Sequence, residues 1–376
     1  MPPLRITRRR FLTGALITSA VLGGGLAACA VSRPQDAPPA VQPLGQATFA
    51  DYARDTRRWV ESRRRFATAD HAAEAAWNSP SELLPADGLP PRRGILLVHG
   101  LGDSPWSFVD QGAAFARAGW LVRTVLLPGC GTRPEDMIPA SADDWRRVVG
   151  EQAEILRRDL AAASPGAVPE VWLGGFSTGC NLSIEFASEH DWIAGLVLFS
   201  PAVAVRSRLA FLAPIAAPFT NWLREPEDSR MGGVAPVRYT VVPVPALAAF
   251  VDTMRGAERA LERRPFTRPA VIMMSEHDRV VDTQTLLPFF TKRFTSPRTR
   301  FLWYGTSPVP VTDDPRIIAR TDALPQEGVA SLSHRGLIFA PGNPQFGRAG
   351  SSRRAFNPWF EAQERDILAV MAGPNA

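Results

Sequence analysis

The sequence predicts an α/β protein with a mostly parallel, doubly wound sheet and a helical cap insertion. Three observations carry this expectation. From residue 92 onward six short apolar runs recur: GILLVH (94–99), WLVRTVLL (120–127), VWLGG (171–175), GLVLFS (195–200), AVIMMS (270–275) and RFLWYG (300–305). They are near-continuous rather than alternating, which suits strands buried on both faces of a parallel sheet. Helix-like stretches such as SADDWRRVVGEQAEILRRDLAAA and TQTLLPFFTKRF lie between them, and alternating strand and helix units make a doubly wound sheet. The span of about 201–269 separates two of the runs and is the expected cap.

A length of 376 residues fits two domains or one large α/β domain. The 45% hydrophobic and 21% charged content places the chain among ordinary globular proteins. Four of its five net positive charges are Arg5, Arg8, Arg9 and Arg10, within residues 1–28, which hold no acid. The remainder has no basic footprint for nucleic acid.

Residues 1–28 read as an address. TRRRFLTGALITSAVLGGGLAAC has a charged start, an apolar stretch of signal-peptide length and small residues before a cysteine. Gly14 and Gly23 to Gly25 make it a poor transmembrane helix. Thr7 to Leu12 resembles the twin-arginine export signal of bacteria. Leu26-Ala27-Ala28-Cys29 resembles the bacterial lipobox, which implies a lipidated Cys29 and a mature chain anchored to a membrane rather than spanning it. An ordinary cleaved signal with an incidental cysteine is the alternative. The location implied is the bacterial cell envelope, and Ala30 in place of Asp points to the outer membrane of a Gram-negative cell.

Residues 29–46 are Pro- and Ala-rich and read as a flexible tether. Residues 47–91 read as an N-terminal helical extension, with one helical pattern from about Phe49 to Trp77 and a proline-marked break at NSPSELLP. Residues 92–372 form the main domain.

In a doubly wound sheet, ligands collect at the carboxyl ends of the strands, so the residues after each run carry the information. Gly175-Phe176-Ser177-Thr178-Gly179 is G-x-S-x-G between a strand and a helix-like stretch. A serine on such a turn takes a strained backbone, and the flanking glycines permit the close packing this needs. A plain turn serine is the competing account. A catalytic serine needs a base. Of His71, His99, His190, His277 and His334, the first and third read as surface residues and His99 as structural. His277 adjoins the expected acid, and His334, in ASLSHRGL, is the best base. The third member is a buried carboxylate that orients the imidazole. Asp278 follows the strand AVIMMS and fits; Glu276 is too close to the strand, and Asp282 reads as a helix N-cap. After the first run, VHGLGDSP places the Leu101 N–H opposite that of Thr178, a pair of oxyanion donors. Pro105 stands where the third glycine of a dinucleotide fingerprint belongs.

LLVHGLGDSPWSF, LLPGCGTRPEDM, GGFSTGCN, MMSEHDRVVD and LSHRGL together resemble the α/β-hydrolase superfamily, near its carboxylesterase, monoacylglycerol-lipase and serine-aminopeptidase-like groups. The resemblance implies Ser177 as nucleophile, Asp278 as acid, His334 as base, and Leu101 and Thr178 as oxyanion amides. The order serine, acid, histidine is that of this fold. Two departures stand out: Pro128-Gly129-Cys130-Gly131 where relatives commonly read PGHG, and a long stretch before His334 that implies an insertion.

Cys130 and Cys180 are placed on loops at the active-site edge, as a disulfide or as two buried thiols. The cap either walls an acyl pocket or simply covers the sheet, and Arg206, Arg208, Arg224 and Arg230 either favour an acidic substrate or form a solvated face. No cofactor and no metal site are expected. The resulting expectation is a lipid-anchored envelope serine hydrolase acting on small-molecule carboxylic esters, with acylglycerols among the candidates. Amide or peptide cleavage and a non-catalytic scaffold are the alternatives.

Overall fold

In the computed structural model, which describes residues 37–311, 313–352 and 354–373, each of the six apolar runs forms a strand. The described chain opens with α1 (Phe49–Arg63), α2 (His71–Trp77) and the two-residue β1 (Glu82–Leu83). There follow β2 (Arg93–Val98), α3 (Val109–Arg117), β3 (Leu121–Val125), α4 (Ala142–Ala163), β4 (Glu170–Phe176), α5 (Thr178–Glu189) and β5 (Ile193–Phe199). The cap holds α6 (Ala213–Ala216), a hairpin of β6 (Val234–Ala235) and β7 (Arg238–Tyr239), and the long α7 (Val244–Arg263). Last come β8 (Ala270–Ser275), α8 (Thr283–Arg293), β9 (Arg300–Tyr304), β10 (Ile317–Arg320) and α9 (Phe360–Ala372).

The sheet runs β1-β3-β2-β4-β5-β8-β9-β10, parallel throughout except for β1, which pairs antiparallel with β3. Along β2, Leu96 and Val98 enter one apolar layer with Trp145 and Leu173, while Ile95 and Leu97 enter the other with Trp120 and Trp172. Both faces are covered, which is why the runs are continuous in sequence. Each such fully buried side chain contributes roughly 1.5–3 kcal/mol of transfer free energy. Strand β3 lies on one side of β2 and β4 on the other. The connections therefore diverge there and open a crevice at the strands' carboxyl ends.

Four expectations change. The helical pattern from Phe49 to Trp77 is two helices: the chain breaks at Arg64, and Asp70 caps α2 by accepting from Ala73 N at 2.9 Å. Arg64 is turned inward to a fully buried ion pair with Glu74 at 2.7 Å, and it also donates to the carbonyls of Gly131, Ala235 and Pro236. The extension is thus a strut beneath the cap. Residues 37–46 are not a free tether: Ala40 N donates to Asp136 at 3.2 Å, and the buried Gln42 donates to Leu126 O at 2.9 Å. The insertion before His334 is more than a loop, because β10 adds an eighth strand parallel to β9. Cys180 sits in the first turn of α5 rather than on a loop. The expected signal and the lipidation residue Cys29 lie outside the described residues.

Among the described residues no helix is long and apolar enough to cross a membrane. The outer face of the cap leaves Leu209, Leu212, Ile215, Phe219 and Leu223 exposed.

Candidate active site

Ser177 sits between β4 and α5 at φ 54°, ψ −115°, a backbone region that L residues rarely occupy. Two contacts impose it: Ser177 N donates to Phe199 O and Cys180 N to Ser177 O, both at 3.0 Å. The glycines of G-x-S-x-G are steric necessities. A Cβ on Gly179 would stand 1.9 Å from the Val98 carbonyl oxygen, and one on Gly175 2.4 Å from Cys180 N. Gly179→Ala should therefore cost at least about 3 kcal/mol, the upper end for overpacking. Gly342→Ala, where an added Cβ meets nothing within 4 Å, is the control, and urea unfolding of both chains reads the difference.

His334 Nδ1 lies 2.6 Å from Asp278 Oδ2, and the imidazole packs on Phe176, the residue before Ser177, with ring centroids 4.9 Å apart. The remaining carboxylate oxygen, Asp278 Oδ1, accepts from Val280 N at 2.8 Å and Val281 N at 2.9 Å. Burial pushes this carboxyl up. The imidazole beside it and the two backbone N–H groups outweigh that and hold it below its ordinary value. An ionised acceptor on Nδ1 fixes the tautomer and leaves Nε2 to act as a base.

The rival carboxylates have other tasks. Asp282 caps α8 through Thr285 N, and Glu276 Oε2 accepts from Thr306 N at 2.8 Å and Ser307 N at 3.0 Å. His277 has its own buried acceptor, Asp322, at 2.6 Å. Three successive residues after β8 thus hold the start, the middle and the end of the segment that leads to His334.

Leu101 and Thr178 flank the crevice on the adjacent ends of β2 and β4, where Val98 pairs with Gly175. Neither N–H has an acceptor among the described residues, and Thr178 opens α5, whose N-terminal N–H groups favour a developing anion. His99 is structural. Its Nε2 accepts from Leu127 N at 3.1 Å, so Nδ1 carries the proton donated to Gly100 O at 2.8 Å. Burial pushes its pKa down to about 4, against the opposing pull of Gly100 O and Asp103. The unfolded chain takes up this proton at the ordinary value of 6.5. Its contribution is therefore complete above about pH 6.5, and on the order of 3 kcal/mol is lost as pH falls towards 4. Urea midpoints at pH 7 and pH 5 should fall more in the parent chain than in His99→Gln.

Sequence reasoning missed several supports. Ser200, at φ 47° directly after β5, donates from Oγ to His334 O at 3.1 Å. Ser275 donates to Leu332 O at 2.8 Å. Their common signal is a serine closing a strand run. Arg206 is exposed, yet its Nε donates to Asp278 O at 2.7 Å and so braces the acid loop. Arg224 bonds Asp228 O at 2.9 Å, and the Arg230 side chain lies outside the described residues. Cys130 and Cys180 are free, buried thiols. Burial pushes Cys130 up to about 12 and raises Cys180 as well, so neither is a ready nucleophile. Among the described residues no group of three His, Cys, Asp or Glu is placed to hold a metal ion.

Residues 90–306 match the family described as serine aminopeptidase, S33. That span holds Ser177 and Asp278 and stops where the segment leading to His334 begins. Over 195 residues the chain is 29% identical to the thermostable monoacylglycerol lipase of Bacillus sp. (strain H-257), covering 50% of this chain and 71% of that one. Among solved structures it is similar to one from the metagenome-derived lipolytic enzymes LipS and LipT, with TM-score 0.54 and 22% identity over 78% of this chain and 97% of that one. It is also similar to the monoacylglycerol lipase of Paleococcus ferrophilus, with TM-score 0.50 and 17% identity over 77% and 96% of the two chains. The chain is a hydrolase of the α/β-hydrolase fold and belongs to the serine aminopeptidase S33 family.

Proposed function

We propose that the protein is a lipid-anchored envelope enzyme that cleaves carboxylic esters through an acyl-enzyme on Ser177. The observation that carries this reading is the strained Ser177 turn directly after Phe176, on whose ring packs an imidazole already paired to a buried carboxylate. His334 Nε2 takes the Ser177 proton as Oγ attacks the ester carbonyl, and the Leu101 and Thr178 N–H groups receive the oxyanion. The imidazolium then protonates the leaving alkoxide, which departs as the alcohol. Water, deprotonated by the same imidazole, attacks the acyl carbonyl; the acid leaves and Ser177 regains its proton.

Esters are favoured over amides because an alkoxide leaves more readily than an amide nitrogen, and the monoacylglycerol-lipase relative supports an acylglycerol as substrate. The lipobox-like Leu26-Ala27-Ala28-Cys29 supports the anchor, and the apolar outer face of the cap suits a protein held beside lipid.

The test is turnover of p-nitrophenyl esters from short to long acyl chains, of a monoacylglycerol, and of an amino-acid p-nitroanilide. Ester without anilide turnover is the expected result; anilide turnover alone would establish the amide reading, and none on any substrate the scaffold reading. Incorporation of labelled fatty acid, lost in Cys29→Ser, reads the anchor separately.

A further inference from the structure

Asp103 and Arg335, 232 positions apart in sequence, form an ion pair beside the candidate site. Their placement along the chain matters more than their charge. Asp103 follows Leu101 by two residues, and Arg335 directly follows His334. One contact thus joins the loop that offers the oxyanion donor to the loop that carries the base.

Both partners are fixed from behind. The side chains are 6% and 16% exposed. Asp103 N closes a turn on Gly100 O at 3.1 Å, and its carboxylate packs so closely that a Cβ on Gly100 would lie 3.1 Å from Oδ2. The Arg335 guanidinium lies over Phe346 and Phe339, 5.1 and 5.6 Å from their centroids, and those rings stack at 4.4 Å. The cap joins at the same point: Tyr239 N of β7 donates to Gly102 O at 2.7 Å. The neighbouring Arg238 is pushed down by burial and by Arg335 and pulled up by Asp103.

A buried ion pair is weak evidence for stability, because desolvation offsets much of the attraction. Its use here is geometric. A tetrahedral intermediate must touch the Leu101 N–H and the His334 imidazole at once, and a misplacement of about 1 Å in such an arrangement costs on the order of 100-fold in rate.

We propose that the Asp103–Arg335 pair is a positioning device that sets the Leu101 oxyanion donor against the His334 base. The proposal rests on the serine-hydrolase reading above. Arg335→Met keeps the side-chain stem on the rings without the charge, Asp103→Asn removes the partner, and Arg335→Lys retains a cation. Each is measured in the full chain on p-nitrophenyl butyrate, with kcat expressed per active site titrated by a phosphonate.

Arg335→Met and Asp103→Asn should each lower kcat per titrated site by about 10–100-fold, with KM within about twofold. The double variant should be no worse than the worse single, because both remove one link. Arg335→Lys should recover part of the loss. A merely structural pair would lower the titrated fraction and Tm but leave kcat per site unchanged, and that result overturns the proposal. Single losses that multiply in the double variant overturn it as well. Should Asp103→Asn fail to fold, the two Arg335 variants decide the matter by the same readout. Turnover that survives Ser177→Ala removes the reading beneath the proposal, and the proposal with it.

Discussion

Ser177→Ala should reduce ester turnover by about 10⁴–10⁶-fold, as expected when the nucleophile of a concerted unit is removed. The fold should survive. Alanine is no more strained than serine at φ 54°, and the backbone bonds that impose the turn, Ser177 N to Phe199 O and Cys180 N to Ser177 O, do not involve the hydroxyl. Only Oγ is lost, from a side chain that is nearly buried. The measurement is kcat on p-nitrophenyl butyrate with melting followed in parallel. A phosphonate should label the parent chain once and the variant not at all. Retained turnover in a folded variant would place the nucleophile elsewhere.

Asp278→Asn should lower kcat by about 10³–10⁴-fold with little change in KM. The reason lies in how the carboxylate is occupied. Oδ1 already accepts from the N–H groups of Val280 and Val281, so the carbonyl oxygen of an asparagine must stay there. Its amide NH₂ then faces His334 Nδ1. That nitrogen must become the acceptor, and the ring proton moves to Nε2. An imidazole protonated on Nε2 cannot accept the serine proton. Nearly parental KM with collapsed kcat is the expected signature. A variant that kept most of its kcat would show that Asp278 does not orient the base.

The central sheet was legible because of how it is buried. β2, β3, β4, β5, β8 and β9 are covered on both faces and write unbroken apolar runs into the chain. β1 has two exposed residues and β10 is half-buried, so neither leaves such a run. Both lie at sheet edges, where strand identity comes from the neighbour they pair with. The N-terminal extension shows the same limit. Its helical periodicity runs past residue 63, but Arg64 leaves the helix for Glu74, Gly131, Ala235 and Pro236, partners that the local pattern does not contain. At the site, Ser177 and Asp278 were marked by position, Ser177 directly after β4 and Asp278 three residues beyond β8. His334 was reached through elimination and motif, since no strand run precedes it.

What the amino-acid order determined by itself is therefore what short-range sterics and double-sided burial impose. These are the six inner strands, the Gly175-to-Gly179 turn with its serine, the N-cap at Asp282, and an acid placed after β8. The tertiary structure alone decided which long-range partners meet. It paired His277 with Asp322 and Asp103 with Arg335, kept Cys130 and Cys180 as separate thiols, laid residues 37–46 against the domain and turned Arg206 onto the acid loop. Such contacts join residues far apart along the chain through single side chains. They leave no periodicity behind, and only the closed fold brings their two halves within hydrogen-bonding distance.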